Sequence, residues 1–327
     1  MSTPSHATAS HAHVERDRLT GIACGVGAGA LWGLVFLAPE LVREFSPLML
    51  TIGRYLCYGL IAAGLAAPRW RALADGMSRG LWWRAAWLAL VGNTLYYLLL
   101  SSAVQNGGIA MTSLVIGFLP VAVTVIGSRD HGAVPLRPLL PSLLFCAVGA
   151  VFIGWQALAG PHNEAADGAT LKAAFGLLCA VGALVSWTAY AVGNARALRS
   201  HAHLSAHDWS LLIGIVTGLQ GLALIPIALV TESDAHSPIE WLRFAAVSMG
   251  VAVLASVLGN ALWNRMSQLL PLTLVGQMIL FETLFALAYG FAWEWRLPSL
   301  PEWLALGCVV MSVVLCIRAH RLKPPPP

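Results

Sequence analysis

Apolar residues run along this chain in blocks of about 20, parted by short polar stretches in which arginines gather. A bilayer core about 30 Å thick is crossed by about 20 mainly apolar helical residues. Ten blocks meet that length, at roughly 20–38, 47–67, 83–104, 108–127, 138–157, 171–195, 208–230, 241–264, 271–292 and 300–318. The pattern predicts an all-α polytopic membrane protein with ten transmembrane helices. The intervening loops are short and leave little room for a soluble domain.

Composition agrees. The chain has 327 residues, 58% hydrophobic and 10% charged, with mean hydropathy +0.73. Soluble domains carry about 25% charge, so this chain cannot coat itself for water. Lys172 and Lys323 are its lysines, and no basic run is interleaved with aromatics, so nucleic acid is excluded as a partner. The six cysteines lie inside apolar blocks with no CxxC pair, and read as small buried hydrophobes. His6, His11 and His13 scatter along a polar tail and make no metal site. That tail lacks the layout of a cleavable signal peptide. The closing prolines read as a disordered tail. No GxxxxGK[ST] loop or HExxH motif occurs, and the GxSxG spacing at Gly76–Gly80 lies in a polar stretch between apolar blocks without the strand a nucleophile elbow needs, so ATP-driven transport, zinc hydrolysis and serine-elbow chemistry have no sequence basis. No cofactor is expected.

Arginines set the direction. With the N-terminus inside, the inner segments hold Arg16, Arg18, Arg69, Arg71, Arg79, Arg84, Arg129, Arg137, Arg196, Arg199, Arg265, Arg318, Arg321 and Lys323. The outer side holds Arg43, Lys172, Arg243 and Arg296. Positive loops stay inside, so both termini are predicted cytoplasmic. The resulting plan is a tail at 1–19, five helices at 20–157, an outer loop at 158–170, five helices at 171–318 and a Pro-rich tail at 319–327. An odd number of helices per half inverts the second half relative to the first. Inverted five-helix repeats around a central cavity are a secondary-transporter plan. "GALWGLVFLA" from Gly29 and "GALVSWTAYA" from Gly182 are alike, as are "VGN" at Val91 and "LGN" at Leu258. The register that pairs Ala103 with Met266 offsets the two Asn, so chance stays open for that second match.

The stretch "GALWGLVFLAPELVREFSPLMLTIGRYLCYGLIAAGL" resembles the opening of the drug/metabolite transporter superfamily, in its ten-span EamA-type branch. The carrying features are small residues running into Trp32, the "SP" before the second block, and Arg54 early in it. "SSAVQNGGIAMTSLVIGFLPV" resembles the family's junction of spans three and four, and "MSQLLPLTLVGQMILFETLF" its second-half counterpart. There the family often has Glu-Pro, where this chain has Glu282-Thr283, which puts a family kink at that point in doubt. The resemblance implies a basket of ten helices that moves amino acids, other small metabolites or drugs. It points to bacterial amino-acid exporters, the aromatic branch among them, in the inner membrane.

Two charges lie deep in the blocks. Glu282 sits about 16 Å from the inner end of span nine, near the midplane. An ionisable residue there costs about 2.5–3.5 kcal/mol to insert, so it must face protein or water. It reads as a site for proton coupling or substrate-amine recognition, or as a protonated structural staple. Arg54 lies about 10 Å into span two. An ion pair with Glu282 or Glu40, a contact with a substrate carboxylate, and snorkelling are its three readings. Polar and aromatic residues recur at helical spacing: Trp32, Phe36 and Glu40; Asn93, Tyr96 and Tyr97; Trp187, Tyr190 and Asn194; Asn260, Trp263 and Asn264. Such sets line small-molecule pockets and equally serve helix packing. Trp32, Asn93, Tyr96, Tyr97, Trp187, Tyr190, Asn260, Trp263 and Gln277 are the candidate substrate-binding residues. Trp82, Trp83, Trp241, Trp293, Trp295 and Trp303, near block ends, read as interfacial anchors. Gly21, Gly25, Gly29 and Gly33 form a four-residue stripe that admits a neighbouring helix. Pro120 and Pro226 are candidate kinks.

The expected function is secondary transport, exporting amino acids or related metabolites by alternating access of the two halves. The partners are a small molecule and the lipid bilayer, with coupling to protons through Glu282 or none. Drug or other metabolite efflux is the alternative within that class. An intramembrane enzyme or lipid-handling protein would need a cluster of acids, bases or nucleophiles at one depth, and Glu282 and Arg54 alone do not supply it.

Overall fold

The computed structural model describes residues 5–127, 136–159, 167–200, 205–232, 235–269 and 272–321, and these are helices joined by short turns, with no strand among them. The order is α1 (Ser5–Leu41), α2 (Pro47–Ala66), a 3-10 turn (Ala67–Arg69), α3 (Trp70–Asp75), α4 (Arg79–Ala89), a π segment (Leu90–Thr94), α5 (Leu95–Ile116), α6 (Leu119–Gly127), α7 (Leu136–Ala159), α8 (Asp167–Ser200), α9 (Ala206–Thr231), α10 (Pro238–Val251), a second π segment (Ala252–Gly259), α11 (Asn260–Leu269), α12 (Leu272–Trp293) and α13 (Leu300–Arg321). Among the described residues, six helical stretches are long and apolar enough to cross a membrane: Leu19–Leu41, Pro47–Asp75, Arg79–Ile116, Thr170–Asn194, His207–Thr231 and Pro238–Met266. Arg137–Ile153, Met278–Trp293 and Leu300–Cys316 are shorter apolar helices. Val230, Leu229, Leu171 and Leu60 are each more than 70% exposed. A surface this apolar suits hydrocarbon and not water.

Local chemistry explains the boundaries. The "SP" at Ser46–Pro47 is a helix start: the Ser46 side chain accepts from Met49 N, and Pro47 occupies the first turn, where a missing N–H is harmless. Ser237 and Pro238 repeat this at α10, with Glu240 completing a capping box. Spans three and four run together as one long helix, broken at Gly108, whose φ of 82° suits glycine. Pro120 does not kink its helix. The break comes before it, between α5 and α6, and Pro120 sits in the first turn of α6. Pro226 lies within α9, which continues through it. The predicted tail at 1–19 is helical from Ser5, because nothing between Ser5 and the apolar block breaks the helix. The prolines of the C-terminal tail lie outside the described residues.

The glycine stripe packs as expected. A Cβ on Gly29 would lie 2.7 Å from Phe281 Cβ and 3.0 Å from the Glu282 backbone nitrogen. Gly33 meets Phe285 and Ala286 in the same way, so α1 lies directly on α12. Gly59 of α2 meets the backbone of Gly218 in α9, and Gly107 meets Gly176 where α5 crosses α8. The α7–α13 pair is joined by Ser142 and Ser312, each hydroxyl donating to the other's carbonyl at 2.8 Å. These four pairs are the most extensive helix contacts, and each joins a helix before residue 159 to one after residue 167. The two sequence halves are therefore interleaved rather than packed as separate bodies.

Candidate functional site

The two π segments are packed against residues of other helices. A π turn adds a residue to the helical repeat and releases carbonyls from the i→i−4 ladder. In the first, Val91 O accepts from Ser186 Oγ at 2.6 Å and Asn93 O accepts from Tyr55 Oη at 3.0 Å. In the second, Ala255 O accepts from Trp32 Nε1 at 3.0 Å. Each segment also has a glycine under an aromatic ring. A Cβ on Gly92 would lie 2.2 Å from Tyr190 Cδ2, and one on Gly259 would lie 2.7 Å from Trp32 Nε1. The likeness of "VGN" and "LGN" thus has a common structural context, which the shifted register left open.

Around these segments the aromatic candidates converge. Trp32, Tyr55, Tyr96, Tyr97 and Trp187 belong to one apolar cluster. Trp32 also packs on Trp263 with ring centres 5.0 Å apart. Tyr96 lies 6.5 Å from Trp187, which lies 5.9 Å from Tyr190. The asparagines serve structure. Asn93 Nδ2 donates to Thr217 Oγ1 at 3.0 Å, and Asn260 Nδ2 donates to Ser256 O at 2.8 Å, closing the second π segment. Gln277 lies on α12, and its side chain is outside the described ones. Trp83, Trp293, Trp295 and Trp303 are exposed at helix ends.

Arg54 reaches the cluster from α2. Its guanidinium lies 4.3 Å from the Tyr97 ring centre and 5.1 Å from that of Tyr55. Nη2 donates to Ser256 Oγ at 3.2 Å. The expected ion pairs do not form. Glu40 pairs instead with Arg43 at 3.2 Å, one helical turn away. Glu282, half-buried on α12, feels the field of Arg54 and lies near Tyr96, yet makes no hydrogen bond or ion pair among the described residues. Sequence reasoning missed Ser256 and Tyr55. Ser256 stands one turn before Asn260, on the same face, which was the available signal.

A separate cavity of about 270 Å³ lies by the Gly108 break. Glu294, Arg296 and Glu302 line it. Arg296 grips Glu302 with two bonds of 2.7 Å and Glu294 with one of 2.5 Å. The Glu302 bonds, with Glu294 adding to them, hold the Arg296 guanidinium still more firmly protonated than usual.

Helices long and apolar enough to cross a membrane, packed around a buried arginine and a cluster of aromatic rings, define the class as a polytopic membrane protein. The EamA-like transporter family matches residues 19–155 and again 174–318, and the chain belongs to that family, within the drug/metabolite transporter superfamily. It is 32% identical over 319 residues to Inner membrane protein YtfF of Escherichia coli (strain K12), covering 94% of this chain and 97% of that one. It is 25% identical over 283 residues to Uncharacterized transporter YdeK of Bacillus subtilis (strain 168), covering 86% and 89%. A solved structure described only as "Crystal structure of protein" is 18% identical and shares the fold, with a TM-score of 0.61 over 94% of this chain and all of that one.

Proposed function

We propose that this protein is a secondary transporter that exports amino acids, aromatic ones among them, or related small metabolites across a bacterial inner membrane. The observation that carries the reading is Glu282: a half-buried carboxylate, near Tyr96, with no hydrogen bond among the described residues. A carboxylate kept at that depth for packing would be hydrogen-bonded. One left open is available to a substrate ammonium group or a proton. The indole and phenol faces of Trp32, Tyr96 and Trp187 supply apolar area for a side chain, and cation–π contact for an amine.

Ten spans with both termini cytoplasmic follow from the arginine bias, and the two matched stretches fit inverted repeats around a central cavity. Inner-membrane placement is supported by the Escherichia coli relative's name. The moving bodies are groups of helices drawn from both halves. Rocking the intact sequence halves apart would open the closest interfaces, such as Gly29 on Phe281. Drug efflux is the second reading, favoured by the same carboxylate near Tyr96. The test is uptake by purified protein in liposomes, with labelled amino acids and cationic drugs, with and without a pH gradient. Saturable flux of a few amino acids is expected; flux of drugs alone would replace this reading with the second.

A further inference from the structure

Arg54 is 8% exposed and its guanidinium carries five N–H donors. One is used, toward Ser256 Oγ. Nε and Nη1 are buried and donate to nothing among the described residues. Two more buried atoms share this condition, Tyr97 Oη and Ser101 Oγ. Tyr97 and Ser101 are both 0% exposed. All belong to one spot. The guanidinium stacks on the Tyr97 ring, Ser101 stands one turn along α5, and the Tyr97 hydroxyl lies beside both without completing a hydrogen bond.

A buried guanidinium with idle donors is an unusual thing to keep. Desolvation of an ion costs several kcal/mol and is offset only when its hydrogen bonds are made. The Tyr97 and Tyr55 ring faces offset part of that cost but make none of the missing hydrogen bonds. Glu282 supplies a field but no contact. The orphaned groups are two guanidinium nitrogens and two hydroxyls, all able to donate. Such a set is matched to one chemistry, an anionic group with several acceptor lone pairs. A carboxylate fits it best, because the guanidinium fork and the carboxylate are both planar.

We propose that Arg54, Tyr97 and Ser101 form the subsite for the carboxylate of a transported zwitterion, whose ammonium end faces Glu282. This rests on the amino-acid reading above. It adds what that reading lacks, a head-group site on α2 and α5 opposite the Glu282 site on α12. A free inorganic anion such as chloride offers the same acceptor chemistry from another source.

Two measurements separate the subsite from the reading. Liposome flux identifies an amino acid that the protein moves. Thermal unfolding of the detergent-solubilised protein then measures binding of that amino acid, its carboxamide, its decarboxylated amine, and sodium chloride. The wild type is expected to bind the acid at least about tenfold tighter than the carboxamide, the scale of one charge-assisted hydrogen bond. Tyr97→Phe keeps the ring under the guanidinium and removes Oη alone, and is expected to narrow that ratio several-fold. Arg54→Lys is expected to abolish it; should that variant not fold, Tyr97→Phe carries the test. Equal binding of acid and carboxamide, with flux of the acid intact, overturns the subsite and leaves the transport reading standing. Stabilisation by chloride that Tyr97→Phe removes, without acid-over-amide preference, also overturns it and assigns the donors to an inorganic ion. If no amino acid is moved, the reading fails and the subsite is judged on acetate and benzoate. A shift in Tm that Tyr97→Phe abolishes keeps a carboxylate site; no shift ends it.

Discussion

Glu282 and Arg54 stand out in the sequence because each sits in a block that hydrocarbon would otherwise fill. The price of an ionisable group at that depth makes its presence informative by itself. Their partners were hidden. Arg54 bonds Ser256, 202 positions away, and stacks on tyrosines of another helix. No spacing rule connects such residues. At this scale Glu282→Gln is expected to bind substrate and to lose acceleration by a pH gradient, since the amide keeps the shape and cannot exchange a proton. Unchanged gradient response in liposome flux would falsify the coupling role. Gly29→Val tests packing instead. Its added atoms meet Phe281 Cβ and the Glu282 backbone, neither of which can yield. It should destabilise by about 1–3 kcal/mol, the usual penalty of overpacking, read as a lower midpoint of thermal unfolding.

At the scale of elements, the α-helices were readable because apolar length and Ser-Pro starts are local properties. The π segments were not. "LVGNT" and "AVLASVLG" carry no breaker that separates π from α, and the widened turn is held by Ser186, Tyr55 and Trp32 from other helices. The pairing is reciprocal: α1 of the first half sets Trp32 on Gly259 of the second, and α8 of the second half sets Tyr190 on Gly92 of the first. Trp32→Phe keeps a ring on Gly259 and removes the Nε1 donor to Ala255. The hydrogen bond is worth about 1 kcal/mol, and a freed buried carbonyl costs up to about 3. The variant should therefore fold with a lowered midpoint and move substrate more slowly. Gly92→Ala should be worse, because the Cβ overlaps the Tyr190 ring itself. Equal midpoints for both variants and the wild type would show that the rings do not hold the π segments.

For the whole molecule, an odd number of blocks per half predicts an inverted arrangement, but the halves are not separable bodies. The closest packing runs between them, through glycine on glycine in α2–α9 and serine on serine in α7–α13. Two fragments divided between Ala159 and Asp167 should therefore restore flux when co-expressed, while either alone is degraded. A stable, monodisperse first fragment on its own would contradict the interleaving. The reason is energetic: a lone half would leave the small-residue faces of α1, α2 and α7 without the helices that fill them.

Membrane insertion is decided residue by residue. Transfer to hydrocarbon sums over about 20 consecutive side chains, so class, approximate helix positions and the two costly charges were all present in the chain order. Arginine in the loops carries direction in the same additive way. Helix partnership is different. Lipid is as apolar as leucine, so no hydrophobic drive selects a neighbour, and contact is chosen by close fit and scattered hydrogen bonds. Only the tertiary structure therefore placed Trp32 on Gly259, turned Asn93 and Asn260 to structural bonds, and left Arg54 with idle donors beside Tyr97 and Ser101.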